Sequence, residues 1–211
     1  MKSLEKLLST SGAPLGPGAR LLDLPDLDGF GPLGRELRAL LFRRNGFYAF
    51  ESALHVFPSA APGKEMNLNG WNSFDLWRFE YGDLAEGTLF FAEDAFGNQF
   101  SLYDQHVYFF DAETGQLTEF SNDLEAWADH VLREYRVTTG YPLLHEWQEK
   151  NGALASGARL MPKIPFVLGG GYSVENLYSL AAVSAMKSRG NLARQLKDLP
   201  DGAKVRFQVI E

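Results

Sequence analysis

The chain contains no cysteine. That absence removes disulfides, thiolate nucleophiles and thiolate metal ligands together. Histidine is scarce, with His55, His106, His130 and His145 the only four in 211 residues. No run of about 18 apolar residues occurs, the length a membrane-spanning helix needs. The opening Met1-Lys2-Ser3-Leu4-Glu5-Lys6 lacks the apolar stretch of an export signal. The expectation is a cytoplasmic chain with no membrane partner. Self-similarity with a period of 20 to 50 residues is missing too, which argues against a repeat array.

Basic residues are nearly absent from the middle of the chain. Between Glu80 and Glu134, thirteen Asp and Glu face a single Arg, Arg133. From Tyr135 to Glu211 the balance reverses, with ten Lys and Arg against six acids, and the whole chain carries −7. An acidic field over one region repels nucleic acid and attracts basic macromolecules. Solubility alone explains many such runs.

What is present is ordinary for a folded chain: 45% apolar and 22% charged residues. The length suits one large domain, or one domain with an appendage. The organising stretch runs from Thr88 to Asp111. It holds three apolar runs, Thr88 to Ala92, Gln99 to Tyr103 and His106 to Phe110, rich in aromatic and β-branched residues. Glu93 to Asn98 supplies the Asp, Gly and Asn that reverse a chain. Asp104-Gln105 leaves room only for a two-residue hairpin. The reading is an antiparallel three-strand meander. In its second strand Phe100 and Leu102 share one face, while Gln99, Ser101 and Tyr103 share the other. One face is then buried and the other at least partly wet.

Helical spacing marks Ser3 to Leu8, then Leu33 to Arg44 with Leu33, Leu37, Leu40 and Leu41 in one stripe before the stop at Asn45-Gly46. The strongest helix follows Ser121-Asn122-Asp123, with Leu124, Trp127, Ala128, Val131, Leu132 and Tyr135 on one side. Gly140-Tyr141-Pro142 breaks it, and a helix resumes over Leu143 to Lys150. Phe47 to Phe57 fits a helix through Phe50, Leu54 and Phe57, and its second half fits a strand; the spacing leaves both open. Ser59 to Asn69 reads as a surface loop. The rings of Trp71, Phe74, Trp77, Phe79 and Tyr81 read as core. Leu117 to Phe120 suits a short edge strand. Gly152 to Gly171 reads as a Gly- and Pro-rich connection to a strand over Glu175 to Leu180. A helix over Ala181 to Lys197 follows, with Gly190 weakening its middle. Ala203 to Ile210 alternates as a last strand.

The segments LRALLFRRNG (Leu37 to Gly46), FYAFESALHVFP (Phe47 to Pro58), LFFAEDAFGNQFSLYDQHVYFFDAETG (Leu89 to Gly115) and SNDLEAWADHVL (Ser121 to Leu132) occur in an informative order. Aromatic strands, Gly97 in the turn, a Tyr-Phe-Phe-Asp strand end and a Trp-bearing helix together resemble the SUKH superfamily. That superfamily includes a fungal cell-wall-synthesis regulator and many bacterial immunity proteins. The resemblance covers roughly residues 33 to 150. PFVLGGGYSVENLYSL (Pro165 to Leu180) and LPDGAKVRFQVI (Leu199 to Ile210) resemble the C-terminal extension of one bacterial subgroup. The resemblance implies an α+β fold with a central, mostly antiparallel sheet and helices packed on one side. Residues 1–150 would form the domain and residues 151–211 an extension packed on it. It also implies a non-catalytic role, neutralising a secreted toxin, and names neither the toxin nor any catalytic residue.

The residues themselves point away from chemistry. His130 and Glu134 sit four apart on a helix, but no third ligand accompanies them. Leu168-Gly169-Gly170-Gly171-Tyr172-Ser173 lacks the spacing and Lys of a phosphate loop and reads as a hinge or tight turn. No Gly-x-Ser-x-Gly elbow occurs. The chain is therefore expected not to be an enzyme, with no cofactor and no metal. What remains is binding, through the sheet's wet side and turns: Glu93, Asp94, Tyr103, Asp104, Tyr108, Asp111, Glu113 and Glu119. Tyr beside charge is a common build for protein interfaces. The expected partner is a basic protein, a cognate toxin; the alternative is a regulatory or scaffold role on the same fold. A homodimer stays open.

Overall fold

The computed structural model describes residues 2–60, 66–200 and 202–203. Six strands form one antiparallel sheet whose spatial order is the chain order: β1 (Phe47–Ala49), β2 (Leu54–Val56), β3 (Leu89–Glu93), β4 (Gln99–Tyr103), β5 (His106–Phe110) and β6 (Leu117–Ser121). The expected meander is its centre, and Leu117 to Phe120 is its edge strand. Phe47 to Phe57 resolves as a hairpin. Phe50, Glu51 and Ser52 turn it, all at positive φ, a conformation that costs most residues energy and that no spacing rule announces. The Asp104-Gln105 turn is the expected two-residue hairpin, with φ of 40° and 60°.

Helices α1 (Ser3–Thr10), α2 (Gly31–Arg43) and α5 (Leu124–Thr138) gather on one side. Asp123 caps α5 by accepting the Ala126 N–H at 2.6 Å. The apolar stripe of α5 meets the row of sheet residues that contains Phe100. Trp127 stands edge-on to Phe91 and Phe100, at 5.2 and 5.8 Å between centroids. Residues alternate across a strand, so the row Gln99, Ser101, Tyr103 faces the other way. That opposite face is covered as well, over most of its length. Short α3 (Leu68–Trp71), a π turn at Phe74–Arg78 and α4 (Phe79–Tyr81) bring Trp71, Trp77 and Tyr81 down on it. Trp77 packs on Phe90 and Tyr81 on Phe110, and all three of these rings are buried, while Phe74 and Phe79 stay exposed. Helices thus lie on both faces of this α+β fold, not on one. Each buried ring contributes roughly 1.5–3 kcal/mol through apolar area removed from water.

The chain then runs through α6 (Tyr141–Asn151) into a separate two-stranded ribbon, β7 (Ala158–Pro162) with β8 (Leu177–Ala181), and into α7 (Ala182–Leu196). The loop expected over Gly152 to Gly171 therefore hides a strand. All five residues of β7 are buried, so it has no polar alternation to reveal it. The ribbon packs over the sheet's end with Leu160, Leu177, Ala95, Phe96 and Leu144 in a small second core. Gly190 has a positive role in α7. A Cβ there would stand 2.7 Å from the Tyr81 ring, so glycine is what lets this helix lie against α4. The strand expected over Ala203 to Ile210 lies almost wholly outside the described residues. Among the described residues no helix is long and apolar enough to cross a membrane.

Candidate binding surfaces at the two ends of the sheet

A meander has two ends, and this one treats them differently. At one end the β4–β5 hairpin projects into water. Tyr103, Asp104, Gln105 and Glu119 are exposed, and Tyr108 is half-buried. Tyr108 lies opposite Glu119 across β5–β6, and its ring meets Tyr103 edge-on at 5.5 Å. Partial burial first, then the nearby charges of Glu119 and Asp104, raise the Tyr108 phenol above its ordinary range. Neither Asp104 nor Glu119 forms an ion pair among the described residues. A broad depression of about 550 Å³ lies beside them, with Phe30, Gly87 and Tyr103 in its wall.

At the other end the carboxylates turn inward. Glu93, Asp94 and Glu113, expected on the wet rim, are 1%, 3% and 6% exposed. This corrects the sequence expectation, and the C-terminal segment is the cause. Arg159 of β7 reaches back so that its Nη2 lies 2.8 Å from Glu93 Oε1, an ion pair without hydrogen-bond geometry. His55 Nδ1 meets the same oxygen at 2.9 Å. Gln99 Nε2 donates to Glu93 Oε2 at 3.4 Å and to Gly97 O at 2.7 Å, and Trp71 Nε1 donates to Gln99 Oε1 at 2.8 Å. Tyr48 stacks on His55. Burial by itself would raise the Glu93 pKa. The Arg159 charge and the His55 and Gln99 contacts outweigh it and hold the group below the usual carboxylate range.

Asp94 closes the β3–β4 turn. Its Oδ1 accepts the N–H groups of Phe96 at 2.8 Å and Asn98 at 2.9 Å, and its Oδ2 accepts Asn98 Nδ2 at 2.8 Å. Burial nevertheless pushes this carboxyl up to about 7. The turn is clamped from three directions: Ala95 bonds Thr139 and Leu160 through its backbone, and Arg189 of α7 donates to Phe96 O and Leu160 O. Asp111 caps the next turn, its Oδ1 accepting the Glu113 and Thr114 N–H groups. Glu113 Oε2 accepts the Val167 N–H at 2.8 Å. Burial raises the Glu113 carboxyl, against the pull of that N–H and of Arg189, and Asp111 adds a like charge.

A cavity of about 230 Å³ opens at this closed end, lined by Asp111, Glu113 and Arg189 beside Phe96, Phe166 and Tyr172. Phe166 and Tyr172 stack almost parallel at 4.1 Å. The Gly169-Gly170-Gly171 run is the tight turn that carries this wall. A Cβ on Gly170 would overlap Ile164 O at 1.9 Å, so the glycine serves packing.

The eight residues singled out by sequence therefore divide. Tyr103, Asp104, Tyr108 and Glu119 share the open end. Asp111 and Glu113 line the closed-end cavity, and Glu93 and Asp94 lie beneath the surface. Arg159, Arg189, His55 and the Phe166–Tyr172 pair were missed. An Arg inside the apolar run Leu154 to Pro162 was the available signal, since a charge on a buried strand needs a partner.

No family model and no curated protein matches the chain. Among solved structures it is similar to the crystal structure of Atu4351 from Agrobacterium tumefaciens. The TM-score is 0.62 and the identity 14%, covering 89% of this chain and 88% of that one. At that identity the likeness concerns the fold alone.

Proposed function

We propose that this chain is a non-catalytic binding protein of the toxin-immunity kind, which docks a basic protein partner on the open end of its sheet. The observation that carries the reading is the Tyr103–Tyr108 pair held edge to face between the exposed carboxylates of Asp104 and Glu119. Tyrosines bring contact area at low entropic cost, and unpaired acids around them speed capture of a cationic surface.

The test is co-purification with the product of the adjoining gene, followed by stopped-flow association at low salt. Asp104→Lys with Glu119→Lys should slow association about tenfold or more while added salt slows the wild type toward the same rate. An on-rate unchanged by the double reversal would overturn the reading.

A further inference from the structure

The two edges of the six-stranded sheet are finished differently. At β1 the loop after α1 covers the edge: Gly12 donates its N–H to Tyr48 O at 2.7 Å, and Leu15 donates to Gly46 O at 3.1 Å. At β6 no element pairs with the outer side among the described residues. The turn before β6 shows which groups point outward. Asp111 N–H donates to Gln116 O at 2.9 Å, and Phe109 lies opposite Thr118. Backbone direction alternates along an antiparallel strand, so Gln116 and Thr118 face β5. Leu117 and Glu119 therefore turn their N–H and C=O groups away from the sheet. The Glu119 side chain shares a face with Tyr108 and is exposed, and it has no ion-pair partner among the described residues. An open edge of this kind is a template for one more strand.

We infer that the outer edge of β6 takes an extended segment of the basic partner as a seventh strand, with a Lys or Arg of that segment set opposite Glu119. The inference rests on the docking reading above and says how that partner is held. Backbone bonds to Leu117 and Glu119 supply affinity, and the Glu119 carboxylate supplies choice. Opposite charges facing across a strand pair attract, and like charges repel. An acidic segment is refused on that ground. A second copy of this chain is disfavoured too: centred on Glu119 the pairing sets like charges opposite each other, and a net charge of −7 on each copy opposes the other registers. The β5–β6 register shifts between Val107 and Tyr108, which confines the regular edge to residues 117–119. A segment of about five residues, an ordinary strand length, covers it.

The experiment titrates the full chain with acetyl-Thr-Val-Lys-Val-Thr-amide and follows amide chemical shifts and hydrogen exchange. The Leu117 and Glu119 amides should exchange fast in the free chain. They should become protected, with saturable shifts, as the peptide is added. A peptide with Glu in place of its Lys should bind about three- to tenfold more weakly. A peptide N-methylated at its Lys, which cannot donate to Glu119 O, should bind at least about tenfold more weakly. Glu119→Gln should weaken the Lys peptide about threefold and erase its advantage over the Glu peptide. Equal binding of the Lys and Glu peptides, undiminished binding of the N-methylated one, or no saturable shift at β6 would overturn the inference. Protection of both amides in the free chain would overturn it as well: independent of protein concentration, it means that the chain fills its own edge, and rising with concentration, that a second copy does. A natural partner captured at a charge-dependent rate while both amides stay in fast exchange would overturn the inference and leave docking at the open end standing.

Discussion

The two ends of the meander are built from similar letters and meet opposite fates. Asp104 and Glu119 at the open end point into water and make no ion pair among the described residues. Glu93, Asp94 and Glu113 at the closed end are sealed by a ribbon and helix that arrive much later in the chain. The difference teaches that acidity in a sequence is two populations. One population makes a field that reaches partners, and the other holds a fold together through paired charge and turn capping.

The sharpest way to break that distinction is at Arg159. Arg159→Ala removes the partner of a carboxylate that is 1% exposed. Leaving Glu93 buried with only its His55 and Gln99 contacts should cost about 3–5 kcal/mol, read as a fall in the urea midpoint. A loss under about 1 kcal/mol would mean that Glu93 is not held by this pair. Next in size is Gly190→Ala, which drives a Cβ into the Tyr81 ring at 2.7 Å. It should destabilise by about 1–3 kcal/mol, the reverse of the gain alanine brings in a free helix. Stabilisation by this change would show that α7 does not rest on α4.

The third prediction uses pH. The Asp94 carboxyl stands at about 7 when folded against 3.8 unfolded. Its folded pKa is raised, so the folded state holds the proton through that window and the unfolded state does not. Stability contributed by the protonated group is therefore complete below about pH 4 and declines as pH rises toward 7, by at most about 1.4 kcal/mol per unit. Glu93 works oppositely, since its lowered pKa withdraws stability as pH falls below 4.5. Urea midpoints across pH 4 to 8 should decline, and Asp94→Asn should flatten the decline between pH 5 and 7. A wild-type profile flat over that range would show Asp94 ionised throughout. The smallest effect belongs to the open end. Asp104→Asn, which keeps a residue suited to the positive φ of that turn, with Glu119→Gln should change stability by no more than about 0.5 kcal/mol, while a larger loss would place those acids in the fold's support as well.

The legible and illegible parts of this protein separate for a physical reason. Alternation in Gln99 to Tyr103 announces a strand, Asp104-Gln105 announces its hairpin, and Asp123 with the Leu124 to Tyr135 stripe announces α5; each is a local preference carried by neighbouring residues. The rows of residues that share a face were readable as well. What covers each face was not. The aromatic group around Trp71, Trp77 and Tyr81 reads as core without saying that it lies on the second face of the sheet. The β1–β2 hairpin depends on three successive residues at positive φ, and β7 has no polar alternation because water touches neither side of it.

Charge sign, helix stripes, tight turns and the antiparallel meander follow from the chain's own letters, because they rest on interactions a few residues apart. Whether a carboxylate faces water or an arginine was decided only by the tertiary structure. Glu93 and Arg159 are distant in sequence and adjacent in space, and the dielectric around a charge is set by what packs over it.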